Sequence, residues 1–197
     1  MAPLPYTEPG ARIAFYLVFG SWVLLEWLAA LRSHRNRHGA PPKPGSLLVV
    51  LAFVGGGLGA TFALAGDARG AAIPHGRWLL FAVGLVLMIA GTVIRQWAVA
   101  VLGPFFTTDV RVQPGQTVVD RGPYRWVRHP SYTGMIVTFV GIGLALGNWA
   151  ALAVAAVVPT VGLVVRIHFE ERALCEGLGE PYRRFAAGRP RLFPGLW

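Results

Sequence analysis

Two polar runs stand out in a chain that is otherwise strongly apolar. One is Arg125-Trp126-Val127-Arg128-His129-Pro130-Ser131-Tyr132-Thr133-Gly134; the other is Arg166-Ile167-His168-Phe169-Glu170-Glu171-Arg172. Pro130 suits the first turn of a helix, where no backbone N–H is needed, and it biases His129 toward an extended backbone. His129 therefore falls just before a helix start, beside free N–H groups that attract a carboxylate. Tyr132 and Gly134 lie on the first turns, and a glycine there lets another group approach the backbone closely. Arg166 and Glu170 are four residues apart, share a helix face and could pair. Ionisable residues at membrane depth usually face the protein interior and mark a site. The plainer alternative makes the arginines headgroup anchors and the two acids the start of a solvated helix.

The elements that must position these runs are read from hydropathy. The chain has 197 residues, of which 54% are hydrophobic and 14% charged, where a soluble domain carries about a quarter charged residues. Five apolar segments follow: about Ile13–Leu31, Ser46–Ala65, Trp78–Val101, Tyr132–Leu146 and Ala150–Val165. A spanning helix needs about 20 residues, so the last two are short and can span only if helix continues beyond the lipid. Only Gly147, Asn148 and Trp149 separate them, which reads as a tight helical hairpin. An antiparallel hairpin brings the two polar runs to one membrane depth, side by side. The expected fold is an all-α polytopic membrane protein with about five transmembrane helices, a C-terminal helical hairpin and cytoplasmic cofactor-binding segments. A single membrane domain covers 1–197: residues 1–101 supply three helices, and 102–197 a catalytic linker, hairpin and tail.

Charge sets the expected orientation. With the N-terminus outside and the C-terminus cytoplasmic, all basic residues except Arg12, Arg69 and Arg77 lie inside, as the positive-inside rule requires. Met1 to Gly10 lack a basic signal region, so the first apolar run reads as a retained helix. The Ala, Gly and Arg content suits a GC-rich bacterial genome, and with the apolar segments the expected location is a bacterial inner membrane. The net charge of +9 does not point to nucleic acid, because the basic residues flank apolar helices where they meet lipid headgroups. The single Cys175 excludes an intramolecular disulfide and a zinc site built on paired cysteines; no metal site is expected. The linker Gly103–Pro130 carries two short β-prone runs around Pro114-Gly115, read as a small hairpin or an extended loop over the helices. The tail Ile167–Phe185 reads as an amphipathic helix interrupted at Gly179-Glu180-Pro181.

Arg128-His129-Pro130-Ser131-Tyr132-Thr133-Gly134, then Glu170-Glu171 and Leu174, then Gly179-Glu180-Pro181-Tyr182 and a closing proline, form an ordered set of motifs. In this the sequence resembles the isoprenylcysteine carboxyl methyltransferases and their bacterial relatives, integral membrane enzymes that use S-adenosylmethionine. The resemblance covers roughly Gly103 to Pro194; the first two helices match only in hydropathy. It implies a cofactor held by Gln116, Thr117, Val118 and Val119, by Tyr124, by His129, Pro130, Ser131 and Tyr132, and by Glu170. It implies that Arg166 stands at the substrate and is essential for transfer, with S-adenosylhomocysteine as product. The chemistry fits: His129 suits the amino-acid carboxylate, Glu170 a cation, and Tyr124 and Tyr132 the adenine or, by cation–π contact, the sulfonium. Methyl transfer is an in-line displacement dominated by positioning and charge complementarity. No G-x-G-x-x-G loop is present. The acceptor would be a lipophilic small molecule or lipidated group arriving from the bilayer, a carboxylate held by Arg166. No nucleic acid and no obligate protein partner are implied. The alternatives are phospholipid or amine N-methylation, an NADPH-dependent membrane reductase with a similar C-terminal helical region, and a non-enzymatic scaffold.

Other residues read structurally. Gly55, Gly56, Gly57, Gly59, Gly143 and Gly147 read as helix-packing glycines. His34 and His38 read as part of a solvated basic loop. Glu26 could pair with Arg95 or sit near the cytoplasmic interface, and Cys175 reads as packing. Trp22, Trp27, Trp78, Trp97 and Trp149 read as interface anchors.

Overall fold

The computed structural model describes residues 2–35, 48, 51–67 and 71–195. Among these, structure is helical, with no strand beyond one isolated bridge between Ala72 and Asn148. The helices are α1 (Leu4–Thr7), α2 (Pro9–Arg35), α3 (Gly56–Asp67, entered through a π-helical turn Leu51–Gly55), α4 (Arg77–Leu102), α5 (Pro130–Ala145), α6 (Trp149–Leu178) and α7 (Glu180–Ala187). Short 3₁₀ turns cover Gly103–Phe105 and Gly122–Arg125. Three helices are long and apolar enough to cross a membrane, and Leu51–Asp67 and Pro130–Ala145 are shorter apolar helices. Over the described residues, each of the five apolar segments thus corresponds to a helix of a polytopic membrane fold. His38 and part of the second segment lie outside the described residues.

In lipid, apolar surface gives helices no reason to prefer one face, so close packing decides. The seam between α4 and α5 shows how. A Cβ added at Gly91 would lie 2.5 Å from the Gly134 carbonyl oxygen, and one at Gly134 would lie 2.5 Å from the Gly91 carbonyl. Gly84 and Gly141 make the same reciprocal contact seven residues away. The close approach expected at Gly134 is therefore by a helix backbone. Of the second-segment glycines only Gly57 packs, against Val158 and Pro159; Gly55, Gly56 and Gly59 meet nothing within 4 Å. Gly143 packs on Leu152 as expected. Gly147 does not pack: it turns the hairpin with φ +60°, a conformation that suits glycine. Asn148 then caps α6, its side chain accepting from the Ala151 N–H at 3.0 Å.

Trp22 is a correction. It is buried, with its ring edge-on to Phe139 at 5.9 Å, rather than anchored at an interface. It belongs to the inward seam of α2 with Phe15, Ala29 and Ser33, spaced so that one face of the helix meets the bundle. Trp27, Trp78, Trp97 and Trp149 are exposed. The last helix also differs from the short hairpin arm: α6 runs unbroken from Trp149 to Leu178 despite Pro159. It thereby carries Arg166 and Glu170 past the apolar stretch on one rigid rod. The linker is an extended loop, not a hairpin, turning at Gly115 (φ +71°).

Candidate active site

The first turn of α5 is fixed from outside. The Arg128 N–H donates to the Pro190 carbonyl and the His129 N–H to the Arg191 carbonyl, both at 2.9 Å. The Thr133 hydroxyl donates to Leu192 O at 2.5 Å. The C-terminal segment therefore satisfies backbone donors that a helix start leaves open. Glu171 locks the arrangement: its carboxylate meets Arg128 Nη1 at 2.6 Å, His129 Nε2 at 3.2 Å and Arg191 Nε at 3.0 Å. The His129 ring also stacks on Tyr132, with centroids 5.7 Å apart.

The expected contact between Arg166 and Glu170 is made through a third residue. The Tyr132 hydroxyl donates to Glu170 Oε2 at 2.5 Å and accepts from Arg166 Nε at 2.6 Å. Arg166 Nη2 donates to the Thr108 carbonyl at 2.5 Å, so two of its N–H groups are used within the protein and the rest of the fork is free to serve a ligand. Thr108 in turn bonds Ser33 of α2 through both its amide and its hydroxyl. Arg166 is buried, 5% exposed, as only a paired or functional charge is at such a depth.

These groups surround a cavity of about 430 Å³, within the range of small-molecule sites. Gln116, Thr117, Val118, Val119, Tyr124, His129, Ser131, Tyr132, Arg166 and Glu170 all line it. Pro130 does not; it is buried behind the wall as the first residue of α5. Gln116 holds its loop by accepting the Gln113 N–H at 2.8 Å, and Gln113 Nε2 donates to Pro104 O at 2.8 Å. Val118, Val119, Tyr124, Leu174, Tyr182 and Phe185 make one side apolar and aromatic. Burial, and then the charge of Glu170, pushes the Tyr124 phenol well above its ordinary range. Burial, and then Glu171 and Glu170, pushes Tyr182 up too. Both offer neutral rings to whatever binds there.

The wall also holds charges that sequence reasoning did not assign to the site. Glu26 and Arg95 form the expected pair, bidentate at 2.8 Å for each bond, but they line the cavity rather than stand apart from it. Asp109 and Arg111 line it too, paired at 3.1 Å and both almost fully buried. An acid and a base two residues apart in a β-prone run of an acid-poor chain were the available signal. Among the described residues no cluster of metal-ligating side chains occurs.

Fold and site together define a class: a polytopic helical membrane protein with a charged chamber where its spans meet a loop and a C-terminal tail. The family follows. Residues 82–176 match the sequence model of the isoprenylcysteine carboxyl methyltransferase (ICMT) family. An uncharacterised protein, YpbQ of Bacillus subtilis, is 32% identical over 99 residues, half of this chain and 58% of that protein. A probable protein-S-isoprenylcysteine O-methyltransferase of Oryza sativa subsp. indica is 33% identical over 111 residues, 55% of this chain and 58% of that protein. The chain thus covers under two thirds of the length of these relatives. A solved structure of the eukaryotic intramembrane Ras methyltransferase ICMT shares the fold, with a TM-score of 0.63 over 98% of this chain and 70% of that one at 20% identity.

Proposed function

We propose that the protein transfers a methyl group from S-adenosylmethionine to a lipophilic carboxylate, in the manner of isoprenylcysteine O-methylation. The observation that carries this reading is the charge balance of the cavity. Arg95, Arg111, Arg128 and Arg166 line it. Opposite them stand Glu26, Asp109 and Glu170 in the wall and Glu171 bonded to Arg128. Each lining arginine has an acid partner, Glu171 being shared by Arg128 and Arg191, and Arg166 and Glu170 being joined only through the Tyr132 hydroxyl. A charge-balanced chamber favours a ligand set that is itself neutral. S-adenosylmethionine, with one net positive charge, and a carboxylate acceptor together meet that condition. Among the described residues each lining arginine already faces an acid, which matches a cofactor bearing several phosphates poorly, and a neutral amine acceptor would leave one charge uncompensated.

The residues present fit the cofactor. Glu170 suits its cationic groups, the aromatic side formed by Tyr124, Tyr182 and Phe185 suits a planar base, and the His129–Tyr132 turn supplies polar groups between them. When bound, S-adenosylmethionine would supply an electrophilic methyl on its sulfonium and leave as S-adenosylhomocysteine. Arg166, held at Nε and Nη2, presents its remaining N–H groups to the acceptor carboxylate and fixes its angle of approach. No general base is needed, because a carboxylate is already the nucleophile. Apolar wall residues such as Leu51, Met135 and Leu163 suit an acceptor tail arriving from the bilayer. The proposed orientation places the N-terminus outside and the C-terminus in the cytoplasm, in a bacterial inner membrane where the cofactor is present on the cytoplasmic side.

Methyl-labelled S-adenosylmethionine with detergent-purified protein and prenylated cysteine analogues tests this. The expected product partitions into organic solvent and releases methanol in base, as an ester does. A base-stable methylated product would overturn the carboxylate assignment. Absence of S-adenosylhomocysteine binding by calorimetry would overturn the cofactor.

A further inference from the structure

The ion pair at membrane depth has a task that the proposed reaction does not itself require. Arg95 sits within a spanning helix, 7% exposed, where an ionised group is costly and is retained for a reason. Its guanidinium touches three parts of the molecule. Nε and Nη2 grip both oxygens of Glu26 on α2 at 2.8 Å. Nη1 donates to the Ser131 hydroxyl on the first turn of α5. The carbon of the guanidinium lies 5.5 Å from the Phe106 ring centroid at the start of the linker loop. Glu26 sits on the inward face of α2, four residues after Trp22 and seven before Ser33, and Ser33 holds the same loop at Thr108.

We propose that Glu26 and Arg95 are positioning residues that set the first turn of α5, acting through Ser131. The pair fixes where Ser131 stands; Ser131 is the second residue of the helix whose first turn carries Tyr132 and whose cap is His129. The fork is planar and its two Glu26 bonds fix its orientation, so Nη1 has one place to point. A lysine there would keep the charge but not the direction. α2 thereby contributes to the site by orienting a residue of another helix, besides the wall positions that Glu26 and Ala30 occupy. The link to cofactor binding rests on the methyltransferase reading; the link to the α5 turn does not.

The test uses the full chain in detergent, with Glu26→Leu, Arg95→Met and the double variant. Removing one member of a buried pair strands the other charge, whereas replacing both with apolar residues of similar size restores folding. The double variant is expected to melt near the wild-type temperature. Hydrogen exchange of the amides in residues 131–136 is expected to quicken, and S-adenosylhomocysteine binding to weaken about tenfold, in line with a small displacement of positioned groups. Wild-type exchange at those amides in the double variant would overturn the proposal, whatever binds. If the wild-type protein does not bind S-adenosylhomocysteine, the methyltransferase reading fails while the exchange result still decides the clamp. Should the double variant fail to fold, Arg95→Lys serves in its place: it keeps the charge, and unaltered exchange at 131–136 would sink the idea.

Discussion

Tyr132→Phe isolates the most informative atom in the site. The change removes one oxygen and leaves the ring, so the stack on His129 at 5.7 Å and the Arg166 contact at 5.9 Å from the ring centroid persist. What goes is the bridge: the bond from Arg166 Nε at 2.6 Å and the bond to Glu170 at 2.5 Å. A hydrogen bond to a charged partner contributes about 1.5–3 kcal/mol. Glu170 is partly exposed and can recover water, so its share is small. Arg166 is buried, so the loss falls mainly on the group proposed to orient the acceptor. If that whole amount is expressed in the transition state, kcat falls by about ten- to a hundredfold. Cofactor affinity, which depends on several other wall groups, changes by less than about threefold, as loss of one peripheral bond would. The assay is steady-state transfer of labelled methyl with S-adenosylmethionine varied, alongside calorimetry with S-adenosylhomocysteine. A variant with wild-type kcat would refute the bridge as the element that aims Arg166. A variant with intact kcat but strongly weakened cofactor binding would place the hydroxyl on the cofactor instead.

Two further outcomes follow from the packing. Gly134→Val sets a branched side chain where a Cβ alone already lies 2.5 Å from the Gly91 carbonyl; the yield of folded, monodisperse protein should collapse, since overpacking by even a few atoms costs about 1–3 kcal/mol. Gly147→Ala, by contrast, should lower the melting temperature only through its φ of +60°, because no atom lies within 4 Å of the added Cβ. Ending the chain after Ala187 removes Pro190, Arg191 and Leu192 from the first turn of α5. S-adenosylhomocysteine binding should then fall below detection while circular dichroism retains most of the helix, and intact binding would show that the C-terminal segment is dispensable.

The helices were legible because lipid imposes one rule that hydropathy captures: about 20 apolar residues per crossing. Which face of each helix points inward was not, because the lipid-facing side is as apolar as the buried side. Trp22 shows the consequence. By type and position it read as an interface anchor, yet it sits on a seam with Phe15, Ala29 and Ser33 that only packing reveals. The glycine seam was hidden for a related reason. Gly84, Gly91 and Gly141 look like any small residues in a span until a partner backbone stands 2.5–2.7 Å from their missing side chains. The site was partly legible, since Pro130 marks a helix start and the tight hairpin brings Tyr132 to Arg166 and Glu170. Two features escaped: Tyr132 as the bridge between those charges, and Glu171 as the hub for Arg128, His129 and Arg191. Spacing says which residues share a helix face, but a hydroxyl inserted from another helix leaves no trace in it.

The matched region begins at residue 82, and the described structure gives that boundary a physical sense. In the first helices almost every lipid-facing position accepts any apolar residue, so similarity there fades into hydropathy. Glu26 is different. It is the acid that neutralises Arg95 within the span, and Arg95 lies inside the matched region. An unpartnered arginine at that depth would have to move toward water or distort the surrounding bilayer. The matched region therefore carries a charge whose partner comes from outside it. A chamber assembled this way cannot be cut at the boundary of the similarity. Its floor needs α2, its wall needs α4 to α6 and the linker, and the first turn of α5 needs the C-terminal tail, so the working unit is the bundle rather than the segment that bears the motifs.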